Sequence, residues 1–187
     1  MSALIEKILE HNRAFVAGKA YAQYDTSKYP DKKLAIVSCM DTRLVELLPA
    51  AMGLKNGDIK LIKNAGAIIT HPFDSVMRSL LIAVYHLRIK EIAVVGHHDC
   101  GMQGLESKKI IEKMLEHGVK RKEIDLFNYC GFNLESWLNG FGNAREAVQA
   151  SMAIILNHPL MPEDILVHGF LMDPCTGRLD KVVAHDT

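Results

Sequence analysis

The sequence has no surplus of charge of either sign: 22 lysines and arginines face 22 aspartates and glutamates. A neutral chain lacks the field that grips nucleic acid or an anionic membrane, so neither is expected as a partner. Such a chain also gains little solubility from charge, which leaves self-association open. No apolar run approaches the ~20 residues that a spanning helix needs. The N-terminal "MSALIEKILEHNRAF" mixes charges into its apolar pattern and has no signal-peptide core. Both absences point to the cytoplasm. Repeats, low-complexity tracts and linkers are missing too, so residues 1–187 read as one domain around one core. Cysteine is scarce: Cys39, Cys100, Cys130 and Cys175. In a reducing compartment these do not make a disulfide framework, and each is a buried apolar group, a metal ligand or a nucleophile.

What is present is an ordinary globular composition, 49% apolar and 24% charged. Residues 2–22 carry Leu4, Ile5, Ile8, Leu9, Phe15 and Val16, a loose amphipathic helix. "LAIVSCM" (34–40), "IKLIKNAG" (59–66), "EIAVVGH" (91–97) and "ILVHGFLMD" (165–173) read as strands, mostly short continuous apolar runs of the kind buried on both faces. "GRLDKVV" (177–183) pairs with the last of these through the "PCTG" turn. Between them, "TRLVELL", residues 73–88, residues 107–118 ending at glycine, and residues 143–157 have helical spacing, the last with Asn143 and Glu146 placed as a capping box. Residues 106–142 are otherwise uninformative. Strands alternating with helices predict an α/β fold with a mainly parallel sheet flanked by helices. In such sheets ligands bind beyond the carboxyl ends of the strands, near a switch in strand order.

Three strand ends carry chemistry. Cys39 ends the first strand, "NAG" the second, and "GHHDCGM" the third. Zinc favours thiolate and imidazole in a four-coordinate shell. His97 and Cys100 supply two donors from one turn, and Cys39 a third if the first and third strands are neighbours. Two thiolates and one imidazole leave a position open. Asp41 would complete the shell or stand beside a metal-bound water. Arg43 would pair with Asp41 and hold it ionised. An ionised carboxylate only accepts hydrogen bonds. His98 is a candidate proton shuttle, although successive side chains alternate and it should point away. His71 would lie at the cleft mouth or in an exposed loop. Asp99 would bond the helix start or support a ligand. Cys130 and Cys175 lack partners at ligand spacing. Trp137 is a packing or subunit anchor, and Met77 and Met114 are core filler.

"CMDTR" and "GHHDCGM", with "KNAGAI" between them, resemble the signature motifs of the β-class carbonic anhydrases, in the form of the compact bacterial and archaeal branch. The resemblance runs from about Leu34 to Val183. It implies a four- to five-stranded, mainly parallel sheet. It implies a homodimer or higher homo-oligomer in which the N-terminal helix lies across the partner. It also implies Cys39, His97 and Cys100 as zinc ligands, Asp41 and Arg43 as the catalytic dyad, and reversible hydration of carbon dioxide to bicarbonate and a proton. Ile36 and Lys63 stand where some members have the tryptophan and arginine of a regulatory bicarbonate pocket. The motifs fit a closed resting state, with the aspartate on zinc, as well as an open one. Gly101 at the start of a following helix would offer N–H groups to developing charge. Ala65, Ala67 and Ile68 would form a dry pocket for a linear uncharged substrate. Two thiolates cancel the formal charge of zinc, so activity should rise with pH with a midpoint above the ~7 of a three-imidazole site. The alternatives are a hydrolase of carbonyl sulfide or carbon disulfide on the same site, and a non-catalytic zinc-binding protein.

Overall fold

The structure, a computed structural model, describes residues 2–183. Its centre is a five-stranded sheet built from β1 (Leu34–Cys39), β2 (Ile59–Asn64), β3 (Glu91–His97), β4 (Leu166–Met172) and β5 (Leu179–Val182), in the order β2-β1-β3-β4-β5. The first four strands are parallel, and β5 returns antiparallel on β4. From β1 the chain steps outward to β2 and then crosses to the other side of β1 to lay down β3. The order therefore switches between β1 and β3, and their carboxyl ends open a crevice there.

Side chains alternate across the sheet, so each buried run feeds two cores. Ala35, Val37, Ile92 and Val94 pack with Val76, Met77, Leu80 and Ala83 of α3 (Ser75–Leu87) and with Val148, Met152 and Ile155 of α7 (Ala144–Leu156). Ile36, Ala93, Val95 and Met172 point the other way, onto Leu44 and Leu48 of α2 (Leu44–Ala51). Helix α7 lies close to β3 and β4 because Gly96 and Gly169 offer no Cβ to Val148 and Met152. Its N-terminus is fixed by Asn143, whose side-chain oxygen accepts the N–H groups of Arg145 and Glu146. Asp74 caps α3 in the same way through the N–H of Met77.

Several expected boundaries move. The N-terminal helix α1 is Ala3–Ala17 rather than 2–22: Gly18 caps it, Lys19 takes a left-handed φ of 53°, and a 3₁₀ turn follows over Ala20–Tyr24. No residue of α1 is buried. The second strand stops at Asn64, and Ala65–Ala67 form a tight turn with Gly66 at φ 84°. The segment 106–142 contains three helices, α4 (Ser107–Glu116), α5 (Arg121–Tyr129) and α6 (Leu134–Leu138), around a small core of Ile111, Ile124 and Leu134. Helix α4 matches expectation; α5 and α6 were not foreseen. Met77 is fully buried, and Met114 half-buried.

Candidate metal centre

Cys39 is the last residue of β1, His97 the last of β3, and Cys100 lies on the turn after it. Adjacency of β1 and β3 brings the three together, with their ligand atoms all within 4.8 Å of one another. All three are buried. The two sulfurs are 3.8 Å apart. Nδ1 of His97 lies 2.8 Å from the carbonyl oxygen of His98, so Nδ1 carries the proton and donates. That fixes the tautomer and leaves the lone pair on Nε2. Nε2 is buried with no hydrogen-bond partner. A buried polar atom without a partner is costly, and here it faces two thiols. One imidazole nitrogen and two sulfurs are the donors that a soft or borderline metal takes, so the cluster could hold a metal ion.

The electrostatics of the cluster point the same way. The hydrogen bond from Cys100 lowers the Cys39 thiol well below its ordinary pKa, helped by His97 and by the N–H groups of Asp41 and Gly66. The same contact, together with burial, raises Cys100. The contact thus pulls the two thiols in opposite directions, and a positive charge between them would favour the ionised form of both. Burial lowers the basicity of His97, but the adjacent Cys39 sulfur and the His98 carbonyl outweigh it, and its pKa is raised.

Beside the cluster stands Asp41. Nε of Arg43 donates to Oδ1 at 3.0 Å and Nη2 to Oδ2 at 2.8 Å, while the backbone N–H of Arg43 reaches Oδ1 at 2.9 Å. This fork holds the Asp41 carboxyl down at about 2, well below its usual 3.8, and Arg43 stays protonated. The paired carboxylate has not joined the ligands; its Oδ2 is 3.9 Å from Nε2 of His97. Arg43 makes a second set of bonds, through Nη1 to the Asp99 carboxylate at 2.8 Å and through Nη2 to the Asp99 carbonyl at 2.9 Å. Asp99 therefore serves Arg43 and not a helix start.

A cleft of about 550 Å³ opens over the cluster, lined by Cys39, Met40, Asp41, Arg43, Ala65, Gly66, Cys100 and Met102 among others. Its apolar wall differs from expectation. Ala65 lines it, but Ala67 is fully buried behind the two cysteines, and Ile68 faces a neighbouring cavity of about 220 Å³ shared with Trp137. Gly101 also departs from expectation: it sits in a turn, and α4 begins only at Ser107, so that helix does not open at Gly101. That turn is tied instead to a distant segment, by the N–H of Gly104 to the Phe141 carbonyl at 2.9 Å and that of Phe141 to the Met102 carbonyl at 3.2 Å. Met102 and Phe141 pack against the cysteines. Neither residue is marked by its type as part of a site. Met102 sits inside the quoted motif, while nothing in the chain near Phe141 signals a role.

Other candidates fall elsewhere. His98 is exposed and does not line the cleft, and His71 is an exposed loop residue whose Nδ1 accepts from the N–H of Phe73. Cys130 and Cys175 are exposed, outside the cluster. Lys63 lies partly buried beneath the start of α2, 3.5 Å from the Leu44 carbonyl; burial lowers its pKa, partly offset by the charges of Cys39 and Asp41. Ile36 is wholly buried in the sheet core.

Comparison with known proteins agrees with this geometry. Residues 34–179 match the carbonic anhydrase family model. YvdA of Bacillus subtilis, which bears a carbonic anhydrase name, is 54% identical, over 96% of this chain and 91% of its own. The crystal structure of β-carbonic anhydrase isoform I from Trichomonas vaginalis superposes with a TM-score of 0.88 at 33% identity, covering 100% of both chains. The carbon disulfide hydrolase of Acidianus sp. is more distant, 28% identical over 81% of this chain and 78% of its own. A buried Cys-His-Cys cluster at the switch point of a mainly parallel sheet, matched over most of the chain, places this protein in the β-class carbonic anhydrase family.

Proposed function

We propose that Cys39, His97 and Cys100 hold zinc, and that the protein catalyses the reversible hydration of carbon dioxide to bicarbonate and a proton. The observation that carries this reading is the buried, unpartnered Nε2 of His97 facing two sulfurs, with an ionised carboxylate alongside. Bound zinc supplies Lewis acidity, lowering the pKa of a water molecule so that it becomes a nucleophile near neutral pH. The chain's own residues supply the rest. Asp41, kept ionised by Arg43, can only accept a hydrogen bond, so it would accept one from a bound water and would leave that oxygen's lone pair free for the substrate. Arg43 fixes that carboxylate through two parallel bonds. N–H groups of Asp41 and Gly66 bond the Cys39 sulfur and that of Met102 bonds Cys100, which orients the thiolates. The apolar side of the cleft, around Ala65 and Met102, offers a small uncharged substrate a surface poor in hydrogen-bonding groups.

The working unit is a homodimer or higher homo-oligomer of single-domain chains in the cytoplasm. Support for pairing comes from α1, whose Leu4, Ile5, Ile8 and Leu9 are all exposed. An amphipathic helix with an open apolar face needs a surface, and a second copy provides one. No helix of the described residues is long and apolar enough to cross a membrane. Hydrolysis of carbonyl sulfide or carbon disulfide needs the same attack on a linear molecule, and the Acidianus relative keeps that reading alive. A purely structural metal would not need the Asp41–Arg43 pair beside it. The test is zinc quantification together with stopped-flow hydration of carbon dioxide and parallel assays of the two sulfur gases. Carbon dioxide hydration dominates on this account; bound zinc with no turnover of any gas contradicts it.

A further inference from the structure

The guanidinium of Arg43 is held from two sides, and only one of them belongs to the dyad. Nε and Nη2 face Asp41, whereas Nη1 and Nη2 face the side chain and the backbone carbonyl of Asp99. Asp99 adopts a left-handed φ of 53°. That conformation is strained for a side chain other than glycine, and aspartate is among the residues that tolerate it best. Here it turns the carbonyl and the carboxylate of one residue toward the same guanidinium. Asp99 lies on the turn between His97, the last residue of β3, and Cys100, while Arg43 follows the strand that carries Cys39. Four of the five side-chain N–H donors of Arg43 are therefore committed, two to Asp41 on its own side and two across the crevice between β1 and β3 to Asp99.

We propose that Asp99 is a positioning residue that clamps Arg43 and thereby keeps the Asp41 carboxylate beside the metal ligands rather than among them. With both carboxylate oxygens bound to Arg43 and Oδ2 only 3.9 Å from His97 Nε2, a loosened Asp41 is a fourth donor next to the cluster. The Asp99 side chain is 85% exposed, so the pair is screened and its contribution is modest. The clamp works through geometry: two acceptors from one residue define the plane of the guanidinium, and that plane defines the carboxylate. This inference rests on the Asp41–Arg43 reading above.

The test uses Asp99→Gly and Asp99→Asn, on zinc-loaded and metal-free protein. Glycine relieves the left-handed backbone and removes only the side-chain acceptor, so its melting temperature stays at or above the native value. Asparagine keeps a neutral acceptor and a left-handed preference. The Nε–H resonance of Arg43, assigned by its loss in Arg43→Lys, exchanges slowly in the native protein. In Asp99→Gly it broadens or exchanges fast, and Asp99→Asn restores it in part. In zinc-loaded protein kcat falls ~2- to 5-fold in Asp99→Gly, less in Asp99→Asn, with KM unchanged. The loss vanishes in an Arg43→Ala background. An unchanged Arg43 resonance in Asp99→Gly, or a full further loss in the Arg43→Ala background, overturns the clamp. Full activity of Arg43→Ala alone overturns the dyad instead, and the resonance still judges the clamp.

Discussion

The sulfur atoms of Cys39 and Cys100 lie 3.8 Å apart although 61 positions separate them in the chain. The sheet order produces this closeness, because β1 and β3 are hydrogen-bonded neighbours whose carboxyl ends face the same crevice. Two thiolates at that distance repel, and a cation between them would favour the ionised form of both.

Removing the carboxylate separates metal binding from catalysis. Asp41→Ala retains stoichiometric zinc, because Asp41 lies outside the ligand cluster. Its hydration rate falls ~10²-fold or more, the lower end of what a positioned proton-handling group contributes. Stopped-flow rates beside metal content decide the matter; full activity takes Asp41 out of the mechanism.

Acid stability reports the dyad independently of turnover. The Asp41 carboxyl is depressed from 3.8 to about 2 in the folded chain, chiefly by its hydrogen bonds to Arg43. A group depressed on folding stabilises above its unfolded pKa, and that contribution disappears as pH falls through the folded value. The advantage of metal-free native protein over Asp41→Asn in urea unfolding should therefore be constant above about pH 5 and shrink as pH falls from 3.8 toward 2. A difference that persists undiminished at the acid end contradicts the pairing.

Gly66→Ala tests the turn behind Cys39. At φ 84° any side chain is strained, and a Cβ would come within 2.9 Å of Phe141 Cε1 and 3.1 Å of Met102. Stability falls by at least ~1–2 kcal/mol from the backbone alone, and zinc content falls with it because the Gly66 N–H bonds Cys39. Urea unfolding and metal analysis check both; a variant as stable as the native protein contradicts the assignment.

The parts legible in the sequence are those whose signal is local. Strand β3 was placed to the residue because a strand buried on both faces writes itself as an apolar run, from Ile92 to Val95, with charge before it and histidine after. The convergence of Cys39, His97 and Cys100 was legible because the rule for parallel sheets puts chemistry at strand ends. What escaped depends on tertiary contact. The pairing of Asp99 with Arg43 spans 56 positions and leaves no periodicity. Phe141 reaches the site through its backbone bridge to the turn after Cys100 and by packing against the cysteines, contacts that its sequence neighbourhood does not announce. Helices α5 and α6 are short and bury mainly Ile124 and Leu134, too few residues to set a helical stripe. The helix expected at Gly101 failed because that bridge holds the chain in turns as far as Ser107. Beyond Gly18 the first helix ends because Lys19 turns left-handed, a choice that its side chain does not announce.

The most direct measurement is elemental analysis of the purified native chain beside Cys39→Ala. Stoichiometric zinc in the native protein, and its loss together with carbon dioxide hydration in the variant, is the expected result. Native protein prepared with care and found to hold no stoichiometric metal, or a variant that keeps both metal and activity, would contradict the account.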